Sequence, residues 1–328
     1  MKQRQIGTTA LKVSEIGFGG AAIGGLYREC TTQSATESMQ AAWDSGARMY
    51  DTAPFYGAGL SERRTGDFIR EHGAPETVIS TKVGRLLRPV PAETAEGNGY
   101  VKALPFAVDY DYSYDAIMRS VEMSYARLGL NRIDILYVHD IGVYTHGIEK
   151  NARHFRDFCS SGLKALQELK SAGIIKAWGL GVNEVQICLD IMAEADMDCI
   201  LLAGRYTLLD RSAEQKLVPL CNARKTSLVI GGVFNSGILA TGPGPEAHFD
   251  YAPASADVLA KVKALQHLAD EFHVPLAAAA LQFPLRNPLV ASVLIGTAKA
   301  SSYLRNMEMM SVTVPEDFYT KAAAFTIS

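Results

Sequence analysis

Ser14-Glu15-Ile16-Gly17-Phe18-Gly19-Gly20-Ala21-Ala22-Ile23-Gly24-Gly25 is the stretch that decides between the two parallel α/β architectures open to this chain. Residues 14–20 read as a short apolar strand. In an open, doubly wound sheet the first strand runs into G-x-G-x-x-G at the start of a helix, where backbone N–H groups meet a pyrophosphate. Here Gly20-Ala21-Ala22-Ile23-Gly24 misses that spacing, and the residues after Gly25 read as loop. The sequence therefore points away from the open sheet.

Working outward, residues 32–46 predict a helix with Met39, Ala42 and Trp43 on its apolar face and Gly46 as its stop. Residues 47–51 predict a strand, 61–72 a helix with Ser61 as N-cap, and 77–83 a β-branched strand. The alternation then pauses. Residues 84–113 contain Pro89, Pro91 and Pro105, show no sustained period and read as a long loop after strand three. Strands follow at 133–138, 177–182, 199–204, 227–234 and 289–295, with helices at 114–128, 158–172, 185–194, 213–223, 257–272 and 301–310. The strands are apolar on both faces, as in a parallel sheet covered by helices. Repeated right-handed strand–helix units close into a (β/α)8 TIM barrel. Residues 1–13 predict a small hairpin at the bottom of the barrel. No linker or composition shift divides the chain, so residues 1–328 read as one domain.

Composition bounds the function. A 48% hydrophobic share supports a large core, and a formal net charge of −3 gives no basic surface for a polyanion, so nucleic acid is not an expected partner. Cys30, Cys159, Cys188, Cys199 and Cys221 are scattered without metal-ligand spacing and suggest free thiols in a reducing cytoplasm, with no metal site. The first residues lack an apolar run, and no apolar stretch approaches a membrane span, so neither a signal peptide nor a membrane partner is expected.

In a parallel barrel the active site lies at the C-terminal ends of the strands. Those ends carry Asp51 and Tyr56, then Lys82, then His139, with Asn183 after strand five. A phenol is a poor proton carrier near neutral pH, and an ammonium beside it favours its ionised form. A carboxylate holds that ammonium in place, and an imidazole can orient a substrate oxygen. Such a set suits proton transfer coupled to hydride transfer at carbon. Taken singly, each residue also has a plain structural role: Asp51 as a turn cap, Tyr56 in packing, His139 in the core. Asp51, Asp140 and His139 also permit reading the chain as a metal-dependent isomerase or aldolase, although Tyr56 and Lys82 then have no role.

The motifs DTAPFYG (51–57) with Glu62, STKVG (80–84) and YVHD (137–140) resemble the aldo-keto reductase family. The resemblance runs in order over nearly the whole chain. It implies a catalytic tetrad of Asp51, Tyr56, Lys82 and His139 and a nicotinamide cofactor, NAD or NADP. Segments STKVGRLL (80–87), HDIG (139–142) and FNSGIL (234–239) are similar to the branch of sugar 1-dehydrogenases acting on L-fucose, L-galactose and D-threo-aldoses, and to pyridoxal 4-dehydrogenases. The implied reaction is oxidation of an aldose at its anomeric hydroxyl to a lactone. The alternatives are pyridoxal oxidation, general aldehyde or ketone reduction, and a cofactor-binding sensor with little turnover.

By the same resemblance the cofactor would touch Asn183, Tyr206, the segment Phe234, Asn235, Ser236, Gly237 and Leu239, and then Gly296, Thr297, Lys299, Ser302, Arg305 and Asn306. Departures from the family pattern are Val182 where a serine is usual, Ala203 for a glutamine, and Phe234 for a smaller residue. Basic residues that would hold a 2′-phosphate are replaced by Thr297 and Tyr303, which favours NAD over NADP, although Lys299 and Arg305 stand within a few residues and either reach the phosphate or face solvent. Tyr100, Phe106, Tyr110 and Tyr112 in the loop suit either sugar stacking or a pyridine ring.

Overall fold

The computed structural model describes residues 1–244 and 246–328. Antiparallel strands β1 (Gln3–Gln5) and β2 (Lys12–Ser14) form the expected N-terminal hairpin. Then come β3 (Ile16–Gly19), β4 (Met49–Asp51) and β5 (Val78–Val83). β6 (Arg85–Pro89) pairs with β7 (Phe106–Tyr110) outside the barrel. The chain continues through β8 (Ile135–His139), β9 (Ala177–Val182), β10 (Cys199–Ala203) and β11 (Ser227–Gly231). β12 (His248–Phe249) and β13 (Ala252–Pro253) form a short hairpin before β14 (Val290–Ile295). β3, β4, β5, β8, β9, β10, β11 and β14 close into one parallel barrel, the (β/α)8 fold.

Two apolar layers hold it together. Ile6, Leu11 and Val13 of the N-terminal hairpin plug the barrel bottom against interior residues such as Met49, Ile135 and Cys199. Outward-facing strand residues such as Ile79, Leu136 and Leu180 pack on the apolar stripes of the helices, such as Ile117 and Val121 of Tyr114–Leu128.

The differences from the sequence reading have physical reasons. Residues 84–113 are not irregular throughout, because Arg85–Pro89 and Phe106–Tyr110 pair as a hairpin outside the barrel, where edge strands tolerate proline. Helix Val143–Asp157 was not expected; of its residues only Asn151 is buried, and Gly147 (φ 69°) breaks its helical backbone. Helix Leu276–Gln282 is the opposite case: an almost wholly apolar segment, largely buried and so without a polar face to reveal its period. Ser61 does not cap a helix. Helix Leu60–His72 starts after Gly59, and Ser61 Oγ instead donates to the Gly20 carbonyl at 2.8 Å and accepts from Thr52 Oγ1 at 2.9 Å. β11 stops at Gly231, because Gly232 (φ 61°) turns the chain into the loop of Phe234.

Candidate active site

Barrel register brings the polar strand ends together. Asp51 at the end of β4 pairs with Ser80 on β5, Lys82 on β5 with Tyr137 on β8, and His139 at the end of β8 with Gly181 on β9. Lys82 is 1% exposed, so its ammonium must be paired. Lys82 Nζ donates to Asp51 Oδ2 at 2.6 Å and to the Thr52 carbonyl at 2.9 Å, while Ser80 Oγ donates to Asp51 Oδ1 at 2.7 Å. The ammonium lies 4.7 Å over the Tyr56 ring centroid. The His139 ring meets the Tyr56 ring edge-on, with centroids 5.8 Å apart. Asp51, Tyr56, Lys82 and His139 therefore form one cluster.

Small residues make room for it. A Cβ built on Gly181 would lie 3.2 Å from Tyr137 Cβ and 3.3 Å from Lys82 Cε, tighter than ordinary side-chain contacts. Gly181→Ala should therefore push Lys82 off the Asp51–Tyr56 axis and lower kcat about tenfold or more, as sub-ångström misplacement of catalytic groups does. Wild-type kcat in the folded variant would remove this positioning role.

The site's electrostatics differ from the simplest expectation. The Lys82 ammonium donates to Asp51 and Thr52 and lies over the face of the Tyr56 ring. Burial pushes the Tyr56 phenol well above its usual range, the charges of Asp51 and Asp140 add to this, and Arg85 opposes it. His139 is pulled well below the usual imidazole range by burial and then by Arg85 and Lys82, so it is neutral. Burial raises Asp51, opposed by Lys82. The phenol is thus held protonated and the imidazole neutral, beside the Lys82–Asp51 ion pair.

Beside Tyr56 opens a cleft of about 370 Å³ at the C-terminal mouth of the barrel. Gly19, Gly20, Gly231, Gly232, Gly237 and Gly296 line it. A Cβ added at Gly237 would meet nothing within 4 Å and would project into open space. These glycines leave backbone accessible along the cleft beside side chains such as Leu201 and Phe234, so the residues present fit a dinucleotide.

The structure separates the expected cofactor residues into two groups. Phe234, Asn235, Ser236, Gly237, Gly296 and Asn306 line the cleft. Of these, Asn235 spends its side chain on the protein: Oδ1 accepts from Thr207 Oγ1 at 2.6 Å, and Nδ2 donates to the Gly204 carbonyl at 3.1 Å. Ser236 Oγ accepts the Tyr251 N–H at 3.0 Å. The others are not among the lining residues. Asn183 gives its carbonyl to Arg205 Nε at 2.7 Å. Tyr206 does not offer a ring to the cleft, because it packs on Phe283 in the core and its hydroxyl accepts from Asn287. Leu239 is also core. Thr297 Oγ1 accepts the Lys299 N–H, Ser302 is half-buried, and Lys299 and Arg305 are exposed. The sequence reading missed Tyr27, Arg205, Asp250 and Tyr251 at the cleft. Arg205 grips Asp250 through both carboxylate oxygens at 2.9 and 2.8 Å, a pairing between distant loops that no local pattern reveals.

The chain belongs to the aldo/keto reductase family, whose sequence profile matches residues 15–326. It is similar to a pyridoxal 4-dehydrogenase from Microbacterium luteolum, 46% identical over 97% of this chain and 96% of that protein. It is also similar to a D-threo-aldose 1-dehydrogenase from a Pseudomonas species, 35% identical over 95% of this chain and 94% of that protein. Among solved structures, an aldo-keto reductase from Bacillus halodurans in its holo form superposes with a TM-score of 0.77 at 23% identity, covering 99% of this chain and 96% of that one; this likeness concerns the fold. Family and relatives make the protein an NAD(P)-dependent oxidoreductase.

Proposed function

We propose that this enzyme oxidises the carbon of a cyclic hemiacetal to a lactone, with Tyr56 as the proton carrier. One observation carries the reading: the Tyr56 phenol lines the glycine-lined cleft, with the Lys82 ammonium over its ring and the neutral His139 at its edge. Nicotinamide cofactor, when bound, supplies the hydride acceptor. Tyr56 Oη takes the proton of the substrate hydroxyl, His139 orients the same oxygen, and Asp51 holds Lys82 in place. A metal-dependent reading has less support, since Asp51 is engaged by Lys82 and Ser80 and Asp140 by Arg85.

Aldoses and pyridoxal share this chemistry, because both close into cyclic hemiacetals. The sequence reading put an aldose first. The 46% identical pyridoxal 4-dehydrogenase and the aromatic surroundings of Tyr56 put pyridoxal first. Tyr27 and Tyr251 line the cleft, and the ring of Tyr100 stacks on that of Tyr56 with centroids 6.1 Å apart, a setting that suits a planar ring. The aldose reading remains as the second, supported by the 35% identical relative. The test is kcat/KM for pyridoxal against L-fucose and a D-threo-aldose with both cofactors. Turnover of an aldose with none of pyridoxal would reverse the order.

NAD is proposed over NADP. Tyr303 is buried with its hydroxyl unpartnered among the described residues, and Thr297 is engaged with Lys299, so neither supplies positive charge to a 2′-phosphate. A tenfold or larger kcat/KM preference for NADP, abolished by Lys299→Ala or Arg305→Ala, would contradict this.

The direction of the phenol's shift sets the pH dependence. Its ionised form, the proton acceptor in oxidation, grows only as pH rises, so kcat/KM for oxidation should climb into the alkaline range. Carbonyl reduction needs the protonated phenol and should decline over the same range. Parallel profiles in the two directions would contradict the assignment.

A further inference from the structure

Asp140 has a left-handed backbone (φ 47°), rarely adopted by a residue other than glycine. Successive strand residues normally point to opposite faces. Here, directly after His139, the Asp140 N–H continues the ladder to the Gly181 carbonyl at 2.9 Å. Its carboxylate nevertheless lies beside the preceding imidazole, with Oδ2 3.4 Å from His139 Nε2. The same Oδ2 pairs with Arg85, which is 4% exposed. The Arg85 guanidinium also lies 3.9 Å over the Phe55 ring, and Phe55 meets the His139 ring edge-on at 6.0 Å. Arg85 Nε and His139 Nδ1 are buried without hydrogen-bond partners among the described residues.

A buried ion pair offers little net stability over an apolar pair of the same shape, so its retention beside a reacting centre points to a positioning role. We propose that Arg85 and Asp140 act as a positioning pair for this reaction, Asp140 holding His139 and both together balancing the charge around Tyr56. This rests on the reading of Tyr56 as proton carrier.

The groups facing Tyr56 are Asp51 on β4, Lys82 on β5, Arg85 and Tyr100 on the insertion, His139 and Asp140 at the end of β8, and Tyr251 between β12 and β13. Within this set Arg85 favours the ionised phenol and Asp140 opposes it. Neutralising each in turn must therefore act with opposite signs. Asp140→Asn should move the alkaline rise of kcat for oxidation to lower pH, and Arg85→Gln should move it to higher pH, each by on the order of one unit. The double variant Arg85→Gln/Asp140→Asn leaves no unpaired buried charge, so it should fold even where a single variant does not. It should place the rise near that of the wild type yet keep kcat about tenfold low, because His139 has lost its support.

The profiles are measured with NAD and pyridoxal, or with L-fucose if pyridoxal is not turned over. Cofactor affinity is followed separately by quenching of protein fluorescence and should be unchanged. Shifts in the same direction, or a double variant with wild-type kcat, would overturn the pair. Tyr56→Phe in the same assay separates the two claims. Retained turnover there overturns the reading of Tyr56 and the pair with it, whereas lost turnover with unmoved profiles in the other variants overturns the pair alone.

Discussion

Tyr56→Phe should bind nicotinamide cofactor with near wild-type affinity and lose about 10²- to 10⁴-fold in kcat, the range typical of a removed general acid/base. The substitution deletes one oxygen. The ring keeps its stacking against Tyr100 and its place under the Lys82 ammonium, so the fold and the cleft have no reason to change. What disappears is the only atom of Tyr56 that can exchange a proton with a substrate hydroxyl. Turnover within a few-fold of wild type would mean that another group carries the proton. His139 is the neighbour to examine then, although it is held neutral by burial, Arg85 and Lys82.

Lys82→Met should be costlier to the molecule. Asp51 is 3% exposed, and without the ammonium at 2.6 Å it keeps only the Ser80 hydroxyl as a side-chain partner among the described residues. Breaking a buried pair by removing one member costs about 3–5 kcal/mol. A lower Tm is therefore expected together with loss of activity. The residual activity should move to higher pH, because the charge that opposed Asp51 beside the phenol is gone. The double variant Asp51→Asn/Lys82→Met separates the effects: it should regain much of the Tm and none of the turnover. A Lys82→Met protein with unchanged Tm and kcat would show that the pair is dispensable.

The barrel was legible because its strands are short apolar runs separated by helices with a clear stripe, as in Tyr114–Leu128, which the periodicity placed to the residue. The clustering of Asp51, Tyr56, Lys82 and His139 was legible because Asp51, Lys82 and His139 stand at or next to strand ends, where a charged or polar side chain among apolar neighbours is conspicuous, and Tyr56 follows in the turn after β4. Two helices were not. Val143–Asp157 is broken at Gly147, and Leu276–Gln282 is almost wholly apolar and buries nearly everything. The cleft proposed for the cofactor was only partly legible for another reason. Glycines line much of it, and which loop side chains reach it depends on turns such as Asn235 to Gly237, all at positive φ. Tyr206 has the right residue type beside the right strand, yet its ring faces Phe283 in the core rather than the cleft. Arg85 and Asp140 meet across a separation that only the β6–β7 insertion and the end of β8 bring together.

Pyridoxal carrying deuterium at its hemiacetal carbon, incubated with the protein and NAD, tests the central claim most directly. Mass spectrometry of the reduced cofactor should find the label on the nicotinamide ring, and the organic product should be the unlabelled lactone, which has lost the deuterium and one proton. The same experiment is run with an aldose labelled at its anomeric carbon. Label retained in the organic product, or no label on the cofactor with either substrate, would contradict hydride transfer from a hemiacetal carbon.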